Sequence, residues 1–231
     1  MSASNGSASE YGRRTLADIA ATLPGATAVF RRRKLDFCCG GRVPLAQATA
    51  ERGLVLGDLE EELDAVAALG LPAASPNGTD ELISVIENRY HAVHRQELPE
   101  LVRLARRVEV AHKNHPALPS GIAALLEQMS AELEQHMQKE EQILFPLMRR
   151  GGHPMIAQPI AVMLAEHDDH GAHLRSLEAL TRDFTVPDDA CPTWRALCIG
   201  AKKLADDLMD HIHLENNVLF PRFQRTTVPA E

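Results

Sequence analysis

The chain of 231 residues carries a net charge of −8 and is 45% apolar, 24% charged and only 4% aromatic. The negative charge argues against a nucleic-acid-binding surface, and no apolar run approaches the roughly 20 residues of a membrane span. The first ten residues lack the apolar segment of a secretory signal, and four cysteines do not make a disulfide framework. We therefore expect a cytoplasmic protein that binds neither nucleic acid nor membrane.

The composition and its changes along the chain predict helical domains. Alanine, leucine, glutamate and arginine dominate, which favours an all-α fold. A polar tail, 1–10, is predicted to be disordered, and a small helical domain is predicted over 11–70. Within that domain the basic run 31–34 indicates a solvated helix end. The stretch "LPAASPNGT", 71–79, is rich in Pro, Ser, Gly and Asn, which is typical of a linker.

After the linker the pattern changes to long amphipathic helices over 80–225. Each extends about 25 to 30 residues, which corresponds to about 40 Å. Pro99 falls inside the first of them, where a kink or a local rearrangement is expected. Four such helices with modest connections predict an up-down-up-down four-helix bundle behind a small helical domain. The predicted segments are 79–112, 118–150, 155–184 and 192–223.

A repeated motif is the strongest signal in the sequence. The stretch "HMQKEEQILFP", 136–146, returns seventy-five residues later as "HIHLENNVLFP", 211–221. Each copy is preceded at a similar distance by a second histidine pattern, "YHAVH" at 90–94 and "EHDDH" at 166–170. Two copies of one helical hairpin, folded against each other, would be related by a pseudo-two-fold axis through the bundle core.

The residue types in the repeat predict a metal centre. Residues at i and i+4 share one face of a helix, about 5–6 Å apart, which pairs His136 with Glu140. It likewise pairs His211 with Glu215. His91 and His167 add one further imidazole to each half. Imidazole suits iron, zinc, copper and nickel, and a carboxylate can join two metals.

Four imidazoles and two shared carboxylates favour a di-iron or di-manganese centre over a structural zinc site. His94 and His170, one turn further along their helices, remain alternative ligands. Glu132 and Glu166 are candidates to orient a ligand, and ordinary exposed carboxylates are the competing interpretation. If the repeat reflected packing symmetry alone, substitution of its histidines would leave the metal content unchanged.

The hairpin with His and His-x-x-x-Glu resembles the hemerythrin-type bundle, which holds a non-haem di-iron centre. The oxygen-carrying hemerythrins have a second histidine in their third helix, at i+4, where this chain has Gly171. Their last helix uses a longer His-to-Asp spacing than His211 to Glu215. The ligand set becomes nearly symmetric, with four histidines instead of five. Reversible O₂ carriage is therefore not the expected function.

Together with the N-terminal "LDFCCGG", the chain from about 11 to 225 resembles the iron–sulfur cluster repair di-iron proteins, the repair of iron centres family. The resemblance implies a cytoplasmic stress protein, induced by nitric oxide or oxidants, that restores damaged iron–sulfur proteins by donating iron. It implies two non-haem iron ions per chain, bridged by carboxylates and an oxo or hydroxo group. The metal ligands carried over by this resemblance are His91, His136, Glu140, His167, His211 and Glu215, with both glutamates as bridges.

Cys38 and Cys39 form a second candidate site with a thiol or iron-transfer role. Adjacent cysteines close a strained ring if they pair, so a stable mutual disulfide is not expected. Nearby basic residues or a helix N-terminus would favour the thiolate, and Gly40-Gly41 would let the backbone approach a partner. The alternative is two small buried apolar residues.

Three functions compete on these observations. The leading one is an iron donor for cluster repair, in which the bundle holds iron and the Cys-Cys domain governs delivery. The second is an enzyme that reduces NO to N₂O, and the third is a binding or sensing protein for NO or O₂. Hydrolytic di-metal chemistry has less support, because no phosphate-binding Gly loop is present. The sequence leaves open the client proteins and the formation of a homodimer.

Overall fold

A computed structural model describes residues 10–72 and 76–224. Within these ranges the secondary structure is helical, and the only β-type pairing there is an isolated bridge between Thr15 and Pro44. The predicted all-α fold is therefore confirmed. The predicted tail lies outside the described residues except for Glu10. The helices of the small domain are Glu10–Arg13, Leu16–Thr22, Ala26–Arg32, Leu45–Glu51 and Leu56–Ala68.

Four long helices follow, and three of them change helix type along their length. The first bundle helix comprises Thr79–Val85, a π-helical turn at Ile86–His91, and Ala92–Ala111. The second comprises Ile122–Lys139, a π-helical turn at Glu140–Leu144, and Phe145–Arg149. The third is Ala157–Leu180, and the fourth comprises Pro192–His213, a π-helical turn at Leu214–Leu219, and Pro221–Gln224.

The helix type does not change at Pro99, where the sequence predicts a kink or a local rearrangement. The α-helical segment Ala92–Ala111 runs through Pro99, and the change of helix type lies one residue before that segment, at Ile86–His91. π-Helical turns are rare and are frequently found at functional sites. All three turns contain a residue of the repeated motif, namely His91, Glu140 or Glu215.

The bundle has the up-down-up-down arrangement. The first helix packs on the second and the fourth, and the third packs on the same two. Two apolar clusters fill the interior. One is built around residues such as Leu101, Leu126 and Trp194, and the other contains Phe145 and Phe220. The buried histidines and glutamates of the repeat lie between these clusters along every helix, so they form a polar layer across the core.

The small domain has its own apolar core, which includes Phe30 and Phe37, and it docks on the fourth bundle helix. The basic run at 31–34, interpreted from sequence as a solvated helix end, supplies ion pairs instead. Arg31 pairs with Asp210 and lies 3.7 Å from Asp206, and Lys34 Nζ lies 2.8 Å from Asp183 Oδ1. Phe37 packs edge-on against His213, with ring centroids 5.4 Å apart.

Over residues 10–72 and 76–224, no helix combines the length and the apolar character needed to cross a bilayer.

Candidate metal centre

The polar layer contains two groups of four side chains that meet at the centre of the bundle. One group is His91, Glu140, His211 and Glu215, and the other is His136, Glu140, His167 and Glu215. In each group the donor atoms lie within 4.8 Å of one another. All six side chains are buried, and both glutamates are shared. The structure thus brings together every residue that the sequence assigned to the centre, although it pairs each histidine with a partner from the other half of the repeat.

The distances between imidazole nitrogens fit two ligands of one ion. His91 Nε2 lies 3.1 Å from His211 Nε2, and His167 Nε2 lies 3.0 Å from His136 Nε2. Two nitrogens bound at right angles, each about 2.1 Å from one ion, lie about 3.0 Å apart. In the second pair both Nδ1 atoms are hydrogen-bonded elsewhere, so two Nε2 lone pairs face each other. A cation between them would remove that repulsion.

The two glutamates are placed to serve both groups. Glu215 directs Oε1 to His211 Nε2 and Oε2 to His167 Nε2, at 3.1 Å in each case. Glu140 Oε2 lies 3.4 Å from His91 Nε2 and 3.5 Å from His136 Nε2. Both Glu140 oxygens are buried, and neither has a hydrogen-bond partner within residues 10–72 and 76–224. Buried carboxylates are normally paired or bind a metal, so the donor set fits a dinuclear metal centre.

The repeated Leu-Phe-Pro has a local role that the sequence did not reveal. The Phe145 amide donates to the Glu140 carbonyl, and the Phe220 amide donates to the Glu215 carbonyl at 2.8 Å. These bonds span five residues, which defines the π-helical turn. The following proline has no amide hydrogen with which to continue the regular pattern. Each glutamate is therefore fixed by the turn that its own motif encodes.

The same phenylalanines pack against histidines of the candidate centre. Phe145 stacks on the His91 ring at 5.8 Å between centroids, and Phe220 stacks on the His167 ring at 5.9 Å. The contacts obey the pseudo-two-fold axis predicted from the repeat. Thus "LFP" positions imidazoles as well as closing the apolar core.

Hydrogen bonds donated by Nδ1 orient three of the four histidines. His91 donates to Glu141 at 2.8 Å, which Arg95 also holds. His167 donates to Asn216 Oδ1 at 2.6 Å. Such partners fix the tautomer of a ligand histidine and raise its basicity. Glu141 and Asn216 were missed in the sequence, although each directly follows a repeated glutamate, and that shared position was the available signal.

The remaining two histidines complete the symmetric pattern. His136 Nδ1 donates to Glu166 Oε2 at 2.8 Å, so Glu166 is placed to orient this imidazole, as one of the two sequence interpretations expected. The equivalent position in the other half is Tyr90, whose ring stacks on His211 at 5.5 Å and 10°. His211 Nδ1 has no hydrogen-bond partner in the described part of the chain. His211 is therefore held by ring stacking, whereas its counterpart His136 is held by a hydrogen bond to a carboxylate.

Burial keeps imidazoles of the centre neutral. Burial, and next the proximity of His211, lowers the pKa of His91 to about 4. Burial and then His167 hold the pKa of His136 well below 6.5. A neutral imidazole keeps the lone pair that a metal ion requires.

The two carboxyl groups respond in opposite directions to their surroundings. Burial and the neighbouring Glu215 carboxylate raise the pKa of Glu140 well above its usual value. Burial acts in the same direction on Glu215, but His211 and His167 outweigh it and hold the pKa of Glu215 low. Two buried carboxylates cannot both ionise cheaply without a cation.

The alternative ligands His94 and His170 belong to neither group of four. His94 is fully buried beside His211, with ring centroids 5.4 Å apart, and neither of its nitrogens has a partner among the described residues. His170 packs edge-on against His136 at 5.1 Å. A Cβ on Gly171 would lie 3.4 Å from Cys39 Sγ. A side chain at that position would therefore contact the cysteine loop.

The Cys-Cys site lies against the third bundle helix. Cys39 Sγ donates to the His167 carbonyl at 3.3 Å, and Asn216 Nδ2 donates to the Cys38 carbonyl at 3.1 Å. Since Asn216 also holds His167 Nδ1, one side chain joins the cysteine loop to the metal centre. The two sulfurs are 3.7 Å apart, and both cysteines are free thiols.

The surroundings of Cys38 contradict one detail of the cysteine prediction. The Cys39 thiol, burial and the Asp36 carboxylate raise the pKa of Cys38 well above its usual value, so these surroundings disfavour its thiolate. The close backbone approach at Gly41 is internal, because an added Cβ would lie 2.3 Å from the Phe37 carbonyl. Gly41 therefore shapes the loop itself.

Comparison with known proteins agrees with this architecture. Residues 83–223 match the family model described as the Hemerythrin HHE cation binding domain. Residues 12–67 match ScdA_N, described as a domain of unknown function. Fold and site thus define a hemerythrin-type cation-binding bundle with an added N-terminal domain.

Full-length relatives narrow the class to one family. A probable iron–sulfur cluster repair protein of Haemophilus influenzae is 44% identical over 219 residues, covering 92% of this chain and 97% of that protein. The iron–sulfur cluster repair protein YtfE of Yersinia pseudotuberculosis is 46% identical over 220 residues, covering 94% and 99%. The chain belongs to this family of iron–sulfur cluster repair proteins.

Proposed function

We propose that this protein is a di-iron protein that repairs damaged iron–sulfur clusters by donating iron. The observation that carries the proposal is the pair of four-residue groups that share Glu140 and Glu215, with facing imidazole nitrogens 3.0 to 3.1 Å apart. His91 and His211 would hold one iron, and His136 and His167 the other. The bound irons would supply the metal for rebuilding a cluster.

The chain's own residues prepare the site for that chemistry. Nδ1 partners turn three imidazoles inward, and Phe145 and Phe220 wall the centre with apolar surface. Two shared carboxylates give a net negative site that balances part of the charge of two cations. Because all six side chains are buried, iron release requires an opening or a route to solvent.

The cysteine loop is placed to influence delivery. Cys39 touches the backbone of His167, and Asn216 contacts both the loop and the His167 ring. Movement of this loop would therefore change the support of one ligand. Two adjacent thiols also suit capture of a soft metal ion.

Metal analysis tests the centre. The purified protein is expected to hold two irons per chain with the near-ultraviolet bands of a bridged centre, and His136→Ala/His211→Ala is expected to lose both. His94→Leu is the matched control, since it removes a buried histidine next to His211 that lies outside both groups. Equal iron content in all three proteins would reject the assignment.

A reactivation assay tests the repair role. Loaded protein is mixed with an iron–sulfur enzyme that an oxidant has inactivated, and recovered activity is measured. Cys38→Ala/Cys39→Ala is expected to keep its iron yet reactivate poorly, whereas Cys191→Ala/Cys198→Ala is expected to match the wild type. Full reactivation by the first variant would reject the delivery role of the loop.

Binding or reduction of nitric oxide at the same centre is a second candidate. Each group offers four protein side chains, which leaves positions for NO or O₂ on a six-coordinate ion. Reduction of two NO to N₂O and water consumes two electrons and two protons, and a diferrous centre holds two electrons. N₂O measured in the headspace after a single turnover of reduced protein distinguishes this activity from iron donation.

A further inference from the structure

A cavity of about 350 Å³ opens beside the metal centre, between the second and third bundle helices. Its lining includes Glu132, His170, His173 and Glu166. Two contacts connect it to the centre. His170 meets the His136 ring edge-on at 5.1 Å, and Glu166 accepts the hydrogen bond from His136 Nδ1. The cavity therefore ends one side chain away from a ligand.

Three side chains of this cavity converge as metal ligands do. One donor atom from each of Glu132, His170 and His173 lies within 4.8 Å of the others. His170 is only 4% exposed, and its Nε2 has no partner among the described residues. His173 Nδ1 faces Glu132 Oε2 at 3.4 Å without hydrogen-bond geometry. Gln128 Nε2 fixes the other Glu132 oxygen at 2.9 Å.

At the equivalent position in the other half of the bundle, the carboxylate is paired with basic side chains. There Asp207 accepts from Arg89 at 2.7 Å and from Lys203 at 2.7 Å. The same lysine lies 2.8 Å from Glu97. The carboxylates in that half are thus satisfied by basic side chains.

The repeat aligns the two places residue by residue. Glu132 corresponds to Asp207, Gln128 to Lys203, His170 to His94 and His173 to Glu97. The other half has the ammonium group of Lys203 where the cavity has the neutral amide of Gln128. It has the carboxylate of Glu97 where the cavity has the imidazole of His173. The carboxylate of Glu132 consequently faces two imidazoles instead of two cations.

We propose that Glu132, His170 and His173 form a separate mononuclear site for a divalent cation, through which Fe²⁺ passes between solvent and the dinuclear centre. Two histidines and one carboxylate are a ligand set that suits Fe²⁺. Glu132 is partly exposed, and rotation of its carboxylate away from Gln128 towards the imidazoles would close the site on an ion that arrives through the cavity. The role in transit rests on the proposed di-iron function, whereas the site itself does not.

Zinc titration tests the site. The iron-loaded full chain is titrated with Zn²⁺ by calorimetry while the optical spectrum verifies that its iron is retained. Wild type is expected to bind one equivalent, and His173→Leu and Gln128→Lys to bind at least tenfold more weakly. Gln128→Lys is the decisive variant. It keeps all three ligands and introduces, at an exposed position, the ammonium group that Lys203 supplies in the other half. Glu97→Gln, at the position equivalent to His173, is the matched control and is expected to bind as wild type does.

Equal zinc binding by all four proteins, or none by wild type, would overturn the site. If the protein proves to hold no iron, the same titration of the metal-free chain tests the site independently. The zinc ions bound at the centre are then counted together with the one at this site, and His173→Leu is expected to bind one zinc ion fewer than wild type. A failure of the proposed function is thus distinguished from a failure of this site.

Iron release tests the transit role. The loaded protein is reduced in the presence of a ferrous chelator, and the rate of colour formation is measured. His173→Leu and Gln128→Lys are expected to release iron at least threefold more slowly at an unchanged iron content, and Glu97→Gln at the wild-type rate. Unchanged release in the first two variants would overturn the route.

Discussion

Replacing Glu140 by methionine should stabilise the metal-free protein and abolish its stabilisation by metal. The Glu140 side chain is 0% exposed, and neither oxygen has a hydrogen-bond partner among the described residues. Without metal, this carboxyl must either be ionised in an apolar core or bind a proton. Methionine has a similar length and no charge, so it fills the same space without that cost.

The magnitude follows from the burial of the group. Replacing buried ionic groups by apolar residues of similar volume is often neutral or stabilises by 1–4 kcal/mol, and we take about 2 kcal/mol for this site. For a chain of this size, about 2 kcal/mol raises the melting temperature by about 4 to 8 °C. With metal the order reverses, because a ligand at a thousand times its Kd stabilises the wild type by about 4 kcal/mol.

The pH dependence supplies a second signature. Burial and the Glu215 carboxylate raise the pKa of Glu140 above its usual 4.5. Below pH 4.5 the group is protonated in both the folded and unfolded states. As the pH rises above 4.5 and through the raised folded-state pKa, the unfolded state loses its proton first, so the folded state loses relative stability. The advantage of Glu140→Met should therefore grow from acidic to neutral pH.

Thermal unfolding of metal-free protein, followed by circular dichroism at several pH values, measures these differences. Glu141→Met is the matched control, because Glu141 is partly exposed and is bonded to His91 and Arg95. That substitution should lower the melting temperature. A metal-free Glu140→Met protein that melts at or below the wild-type temperature would refute the cost assigned to the buried carboxylate.

Three further predictions concern the surroundings of the centre. Asn216→Ala removes the partner of His167 Nδ1 and should weaken metal binding about 10- to 100-fold, as measured by chelator competition. Asn217 contacts the same loop but no proposed ligand, so Asn217→Ala should leave metal binding unchanged. Gly41→Ala places a Cβ 2.3 Å from a carbonyl oxygen and should lower the melting temperature, whereas unchanged melting would contradict this packing. Alkylation mapped by mass spectrometry should modify Cys191 first, since backbone amides and His112 lower its pKa. It should modify Cys38 last, because that thiol is buried and has a raised pKa. The reverse order would contradict these environments.

The bundle departs from the oxygen-carrier pattern at a residue that the N-terminal domain contacts. Gly171 stands where those proteins have a histidine, and the Cys39 sulfur lies against it. The position of the absent histidine therefore faces the cysteine loop. The loop lies on the same helix turn that presents His167.

The sequence by itself determined the helices, the repeat and the six residues that meet at the centre. A helical period places His136 over Glu140 and His211 over Glu215 without any tertiary information, because residues at i and i+4 share a face. Two copies of the same hairpin then imply a symmetric core. The repeated phenylalanine was visible too, but its stacking on histidine depends on the π-helical turn, which no local rule predicted.

Tertiary structure alone decided which of these side chains meet and what supports them. The pairing of His91 with His211 depends on how the first and fourth helices rotate against each other, which core packing sets over more than a hundred residues of sequence. Asn216 became a link to the cysteine loop only when the small domain docked. Likewise, Glu132 is a candidate metal ligand and Asp207 is an ion-pair partner because of neighbours from other turns and other helices. Sequence periodicity fixes the face of a helix on which a side chain lies, whereas long-range packing selects what that face meets.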